Sequence, residues 1–188
     1  MNVIPRSLVV GVFLSVCAGA NVCAEDAATP AGTNAVGIST NIVPSIVLRN
    51  LSNEYVFVSN LCYPGPEDSK KPRSVVVLDF MASDCEPCKK EMPAFLKVTR
   101  EFKEKGVKAF LVSIDPLSKL EDLKKVVQSL GVDCEVLLDP YKVAATKCGV
   151  TRIPRTFVLS RERRVVGDLG AGVDFEKRLR AALERAIQ

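Results

Sequence analysis

Two cysteines three residues apart, Cys85 and Cys88, are the residues of this chain best suited to chemistry. Thiols at this spacing in the first turn of a helix can close a small disulfide ring and reopen it. A helix N-terminus favours a thiolate, so we expect Cys85 to attack and Cys88, facing the interior, to resolve. Half a zinc site and an inert bridge are the alternatives. The chain has no histidine and no second pair at this spacing, which disfavours zinc.

The segments on either side of this pair must position it. The apolar run from Val75 to Leu78 predicts a strand that is covered on both faces, and Lys89 to Lys105 has apolar residues at helical spacing. Pro87 suits the first turn of that helix, where no N–H is needed. The pair therefore lies in a strand–turn–helix context, which a redox motif requires.

The rest of the pattern predicts an α/β fold in which strands and helices alternate, with right-handed crossovers between parallel strands. Two short apolar runs ahead of the central strand indicate a β-hairpin, and Cys62 to Arg73 indicates a loop. The predicted elements are strands at Ser45–Leu48, Tyr55–Val58, Val107–Ile114, Glu135–Leu138, Arg155–Leu159 and Val165–Leu169, and helices at Leu117–Leu130, Tyr141–Lys147 and Asp174–Ile187.

The run CEPCKKEMP from Cys85 to Pro93, with Ile-Pro-x-Thr downstream at Ile153, resembles the active-site region of the thioredoxin superfamily. It is most similar to the extracytoplasmic TlpA and ResA thiol-disulfide oxidoreductases. The resemblance covers residues 42–188. It implies a thioredoxin-like fold with an added N-terminal β-hairpin and a central helix-strand insert.

The resemblance also implies roles for individual residues. Cys85 becomes the nucleophile, Cys88 the resolving thiol and Glu91 the ResA-type carboxylate. Asp79, six residues before Cys85, matches the buried carboxylate of thioredoxin. Pro154 becomes a cis-proline that faces the dithiol.

Substrate contacts are expected from residues beside the dithiol and beside the proline. In the families resembled, the backbone of the residue before the proline, here Ile153, pairs with the substrate chain like an added strand. The remaining candidates for substrate contact are Asp84, Glu86, Pro87 and Arg155.

One position departs from the family pattern. These families usually carry a Trp just before the first cysteine, but this chain has Asp84 there and contains no Trp. A flat docking surface is therefore absent. The charges of Asp84 and Glu86 oppose a thiolate at Cys85, whereas Lys89 and Lys90 favour one.

The leading hypothesis is a reductant of disulfides in partner proteins, because the acidic residues around the dithiol work against a low thiol pKa. Asp79 or Glu91 would take the proton from Cys88. The resemblance implies a disulfide-containing client, for example in cytochrome c maturation, and a membrane thiol that donates electrons. We expect no cofactor and no metal. We also expect no nucleic-acid partner, since the formal charge of +4 is dispersed among residues of both signs.

Four alternatives stay open. A thiol oxidant of the same fold would run the exchange in the opposite direction. A peroxiredoxin-like peroxidase would need a Thr shortly before its cysteine, where this chain has Ala82 and Ser83. A copper-binding assembly factor of the Sco type would need a histidine ligand, which is absent; a redox-dead interaction module completes this group.

Three further cysteines follow residue 41 outside the dithiol. Cys134 precedes the inserted strand and Cys148 ends the helix that returns onto it, so we predict a structural disulfide between them. Two buried thiols are the alternative. Cys62 is then left without a partner.

Residues 1–24 have the pattern of a secretory signal peptide: an early charge at Arg6, an apolar centre and small residues at the end. A retained membrane anchor and a lipid anchor on Cys17 are the alternatives, and either would allow membrane association through the N-terminus. Residues 25–41 lack periodicity and are predicted to be a flexible linker. The expected location is the periplasm or another extracytoplasmic compartment.

Overall fold

The computed structural model describes residues 42–62 and 73–188. The predicted signal peptide and linker, 1–24 and 25–41, lie outside these residues, as does most of the predicted loop from Cys62 to Arg73. The strands are β1 (Val47–Asn50), β2 (Tyr55–Phe57), β3 (Val75–Met81), β4 (Val107–Ser113), β5 (Glu135–Leu138), β6 (Arg155–Leu159) and β7 (Val165–Gly170). The helices are α1 (Val58–Cys62), α2 (Glu86–Phe102), α3 (Leu120–Ser129), α4 (Val143–Lys147) and α5 (Phe175–Ile187), with 3-10 turns at Lys103–Lys105 and Leu117–Lys119.

The strands form one sheet in the order β2-β1-β5-β4-β3-β6-β7. Strands β3, β4 and β5 are parallel, and β1 and β6 run antiparallel to their neighbours. Strand β3 therefore lies in the interior of the sheet, between β4 and β6, and all seven of its residues are buried, as its apolar run predicts. The insert contributes β5, which joins the N-terminal hairpin to the parallel strands and so confirms both predicted additions.

Side chains of β3 alternate between two hydrophobic clusters, one on each face of the sheet. Helices α2, α3 and α5 cover the face that includes Val77 and Met81, which we call the dithiol face because Cys85 and Cys88 pack there. Val43 and Ile46 ahead of β1, together with α1 and α4, cover the opposite face, which includes Leu78 and Phe80. Among the described residues, no helix is both long and apolar enough to cross a membrane.

The hairpin differs from its prediction in two places. Strand β1 continues to Asn50, whose Oδ1 accepts hydrogen bonds from the backbone N–H groups of Ser52 and Glu54 and so closes the turn with its own side chain. Val58 begins the short helix α1 instead of ending β2. Val58, Ser59 and Cys62 of α1 are buried. The short apolar run in the sequence does not show whether such a buried segment is a strand or a helix.

The packing of α5 on the sheet depends on Gly167 in β7. A Cβ at Gly167 would lie 2.7 Å from Ala182 Cβ and 3.2 Å from Val158 Cβ. We expect Gly167→Ala to lower the free energy of unfolding by about 1–3 kcal/mol in denaturant titrations, because the helix must move outward. Gly170→Ala in the same strand is the control, since its Cβ would meet only Arg155 Nη1 at 3.7 Å. Equal losses in both variants would contradict this packing argument.

Candidate active site

Cys85 and Cys88 form a disulfide at the N-terminus of α2, with an S–S distance of 2.03 Å and a Cα–Cα distance of 5.3 Å. Cys85 is the N-cap residue of the helix, and its extended backbone (φ −84°, ψ 95°) lets Sγ accept a hydrogen bond from the Cys88 N–H at 3.2 Å. Pro87 lies in the first helical turn, as predicted. Cys85 retains 9% exposure and Cys88 1%, so Cys85 is the more accessible sulfur.

The charges on either side of the dithiol are paired. Lys119 Nζ lies 2.7 Å from the Asp84 carboxylate, and Lys89 Nζ lies 2.7 Å from that of Glu86. Hydrogen bonds from these lysines lower the pKa of Asp84 and of Glu86. Each carboxylate next to Cys85 therefore has a cation beside it, which weakens the opposition to a thiolate that the sequence predicts.

Asp79 is a buried carboxyl on β3. Its position between Val77 and Met81 puts its side chain on the dithiol face. Thr156 Oγ1, on the neighbouring strand β6, donates a hydrogen bond of 2.7 Å to Asp79 Oδ1. Burial raises the pKa of Asp79 from 3.8 to about 7, and the charge of Glu91 adds to the rise. Asp79 can therefore exchange a proton near neutral pH.

Glu91 lies on α2, one turn beyond Cys88. Its Oε1 accepts a hydrogen bond from the Gly172 N–H at 3.1 Å, whereas Oε2 is buried without a hydrogen-bond partner among the described residues. Burial raises the pKa of Glu91, although the Gly172 hydrogen bond and the charge of Arg178 oppose the rise. The charge of Glu91 therefore helps to raise the pKa of the buried Asp79 carboxyl.

The Ile153–Pro154 peptide bond is cis. Arg155, the next residue, pairs with Phe80 of β3, so Pro154 lies at the sheet edge where β3 leads into the dithiol turn. Ile153 packs against the cluster that contains both cysteines. The Arg155 guanidinium forms an ion pair with Asp168, with Nη2 2.6 Å from Oδ2, and so points its charge at β7.

Cys134 and Cys148 are separate free thiols, so the predicted disulfide between them is wrong. Cys134 packs on the dithiol face, whereas Cys148 and α4 lie on the opposite face of the sheet. The helix returns towards β5 as expected, but the sheet itself separates the two sulfurs. Cys62 is also a free thiol and is buried. Burial raises the pKa of all three thiols to about 12.

Two residues near the dithiol were not identified from the sequence. Asp115, just after β4, accepts hydrogen bonds from the backbone N–H and from the hydroxyl of Ser83, at 2.8 and 2.9 Å. Lys119 pairs with Asp84. The position of Asp115 at the carboxyl end of a strand parallel to β3 was a usable indication, because such ends meet at one sheet edge. Lys119 has no comparable sequence pattern.

Comparison with known proteins agrees with this geometry. A family model described as the AhpC/TSA family matches residues 67–167, more than half of the chain. The thiol-disulfide oxidoreductase ResA of Bacillus subtilis (strain 168) is 30% identical over 123 residues, which are 65% of this chain and 62% of that protein. The thioredoxin-like protein YneN of the same strain is 28% identical over 142 residues, 75% of this chain and 76% of that protein.

Among solved structures, a putative thiol:disulfide interchange protein DsbE from Chlorobium tepidum superposes with a TM-score of 0.67 at 24% identity, covering 78% of this chain and 96% of that one. A thioredoxin domain of a thiol-disulfide oxidoreductase from Bacteroides vulgatus gives a TM-score of 0.63 at 21% identity, with 78% and 96% coverage. These matches confirm the predicted thioredoxin-like fold. With a dithiol at the start of the helix that follows β3, and with a family model that matches more than half of its length, the chain belongs to the AhpC/TSA family of thioredoxin-like proteins.

Proposed function

We propose that this protein is a thiol-disulfide oxidoreductase that reduces disulfides in partner proteins through Cys85 and Cys88. The observation that carries the proposal is the disulfide at the N-terminus of α2, on the same face as a buried carboxyl whose pKa is raised to about 7. The relatives named thiol-disulfide oxidoreductases support the same chemistry. Because the match spans only 62% of the ResA protein, activity and partners are proposed for this chain.

The reaction starts from the reduced dithiol. The Cys85 thiolate attacks one sulfur of a client disulfide, forms a mixed disulfide and releases the first client thiolate. Cys88 passes its proton to Asp79 or Glu91, and its thiolate then attacks Cys85 Sγ. The Cys85–Cys88 bond forms, the second client thiolate leaves, and two electrons have moved to the client. A donor dithiol then reduces the protein again.

The direction of transfer rests on thiolate stabilisation. A strongly lowered thiol pKa stabilises the reduced enzyme and makes it an oxidant. The Cys88 N–H and the helix N-terminus stabilise a Cys85 thiolate, but the carboxyls of Asp79 and Glu91 on the interior side oppose it. Asp84 and Glu86 contribute little because lysines pair with them. The balance favours a reductant.

The proposal extends to the compartment in which the protein acts and to its partners there. The apolar leader at 1–24 supports export to the periplasm or another extracytoplasmic compartment. There the clients would be proteins that carry disulfides, with cytochrome c maturation as one such setting, and the electron donor a membrane thiol. The resemblance to TlpA and ResA supports these assignments.

The peroxidase alternative is supported less well. A peroxidatic cysteine needs a hydroxyl donor close by, and Ser83 is the nearest preceding candidate. The Ser83 hydroxyl donates its hydrogen bond to Asp115 Oδ1 instead of pointing towards Cys85. Cys85 also has its resolving partner one helical turn away, which suits dithiol exchange.

The test is the redox equilibrium of the full chain against glutathione, followed by counting free thiols with a maleimide. We expect a midpoint potential near or below that of thioredoxin, about −270 mV. The Cys85→Ser variant is the control, and it should lose the two-electron transition of the Cys85–Cys88 pair. Burial raises the pKa of Cys62, Cys134 and Cys148 to about 12, and any exchange by Cys17 and Cys23 appears equally in both proteins. A midpoint near −120 mV would make the protein an oxidant. No exchange at all would make the bond structural.

A further inference from the structure

The turn that delivers Cys85 to α2 is held by one buried side chain. The Asp115 carboxylate accepts three side-chain or backbone donors: Ser83 N–H at 2.8 Å, Ser83 Oγ at 2.9 Å and Ser113 Oγ at 2.8 Å. Asp115 is 7% exposed and Ser83 6% exposed. Buried hydrogen bonds to a carboxylate are short and strong, so this cluster fixes the backbone two residues before Cys85.

The side chains of the other residues in the turn make few contacts that would hold it in place. Ala82 has only a methyl group, and Asp84 is largely exposed and held by Lys119 on the surface. The Cys85 N–H donates to Ala82 O at 3.0 Å, so displacement of the turn would move Cys85 directly. The backbone bond from Ile114 N–H to Met81 O at 2.9 Å adds a second tie between the same two segments.

The position of Cys85 matters most for ring closure. As N-cap residue, Cys85 needs its extended backbone to place Sγ against the Cys88 N–H. Cys88 must also approach Sγ in line with the bond that breaks, and a misplacement of about 1 Å in such an intramolecular step costs about a hundredfold in rate. Attack of Cys85 on an outside disulfide has no such internal constraint.

We propose that Asp115 is a positioning residue that holds Cys85, through Ser83, in the geometry needed for Cys88 to close the disulfide. The inference rests on the proposed function, because its effect is measured in thiol exchange. In the step concerned, the Cys88 thiolate attacks Cys85 Sγ of a Cys85–glutathione mixed disulfide. The Cys85–Cys88 bond forms and glutathione thiolate leaves with the electron pair.

The test compares two steps in the full chain with glutathione as the probe. The first is the release of glutathione from the Cys85 mixed disulfide by Cys88. Its rate constant is measured from low pH up to the high-pH plateau of the rate, where Cys88 is ionised. The second is attack of Cys85 on oxidised glutathione in a Cys88→Ala background. We expect Asp115→Ala to lower the plateau of the first step about tenfold or more and to change that of the second much less.

Three variants separate positioning from other roles. Ser113→Ala removes a donor to the same carboxylate without touching the turn, so its plateau should stay within about twofold of the wild type. Asp115→Asn keeps an acceptor for the Ser83 N–H and should recover most of the plateau, because the serine hydroxyls can rotate. Ser83→Ala removes only one of the two bonds to the turn and should give an intermediate loss. It serves as the measurement if Asp115→Ala does not fold.

The outcomes are distinct. A shifted pH midpoint with unchanged plateaus would show that Asp115 acts only through its charge and would overturn the inference. Lower thermal stability of Asp115→Ala with an unchanged rate plateau would show that Asp115 has a purely structural role, and would also overturn the inference. A wild-type protein that does not exchange with glutathione would overturn the proposed function, and this inference with it. Exchange in the wild type together with a normal Asp115→Ala plateau would overturn this inference alone.

Discussion

Replacing Cys88 by alanine is expected to stop turnover and to accumulate a covalent complex between Cys85 and a client. Cys88 is 1% exposed and lies behind Cys85, so it can reach Cys85 Sγ but is poorly placed to attack a client. Without it, the mixed disulfide has no internal thiol to resolve it. Turnover on a disulfide-bearing model protein should fall by a factor on the order of 10³, and non-reducing electrophoresis with mass spectrometry should show the Cys85 adduct.

Two variants check the assignment. Cys85→Ala should lose turnover without forming an adduct, because the attacking sulfur is gone. Cys134→Ala removes a thiol from the same face of the sheet and should retain turnover, since burial raises the pKa of Cys134 to about 12. An adduct that formed in Cys85→Ala but not in Cys88→Ala would exchange the roles of the two cysteines.

Asp79→Asn is expected to stabilise the protein at alkaline pH. Burial raises the pKa of Asp79 from 3.8 to about 7, so the folded state holds the proton more tightly than the unfolded state. The free energy of unfolding of the wild type therefore falls as pH rises through this window and is lowest above about pH 7. The rise in the Asp79 pKa corresponds to a loss of about 4 kcal/mol in the free energy of unfolding above about pH 7. The Asn variant should not suffer this loss, because its side chain carries no charge.

The measurement is denaturant unfolding of the oxidised wild type and Asp79→Asn at pH 4 and pH 8. The two proteins should differ little at pH 4, and the variant should be more stable at pH 8. Asn keeps an oxygen that accepts the Thr156 hydrogen bond, so packing is preserved. Glu91→Gln is the matched control, and its effect should be smaller because Glu91 is only partly buried. A difference independent of pH would contradict a buried charge as the cause.

Local patterns were enough to predict most of the framework. The apolar run at Val75 and the cysteine spacing at Cys85 are properties of a few consecutive residues, and both elements form where expected. Gly106 ends the α2 region with a positive φ of 82°, again a local requirement. The hairpin and the inserted strand β5 followed from short apolar runs. Strand β5 has the predicted bounds, whereas the bounds of the two hairpin strands shifted by one or two residues.

The failures concern which face a residue occupies and which distant residue it meets. Cys134 and Cys148 lie next to consecutive elements of the chain, β5 and α4, but the sheet lies between them. No local sequence pattern specifies which face of the sheet a short helix covers. The pairing of Asp84 with Lys119 joins residues 35 positions apart. The sequence shows the charge of Asp84 but not its partner, so the electrostatic balance at Cys85 became clear only from the structure.

The burial of the three free cysteines that follow residue 41 also bears on how the protein should respond to heat. In the folded chain, burial raises the pKa of Cys62, Cys134 and Cys148 to about 12, so none of them competes with the dithiol. Unfolding returns each thiol to an ordinary pKa of about 8.5 and lets it attack the Cys85–Cys88 bond. We therefore expect heat denaturation near or above neutral pH to become irreversible through disulfide reshuffling, and acidic conditions to preserve the native pairing for refolding.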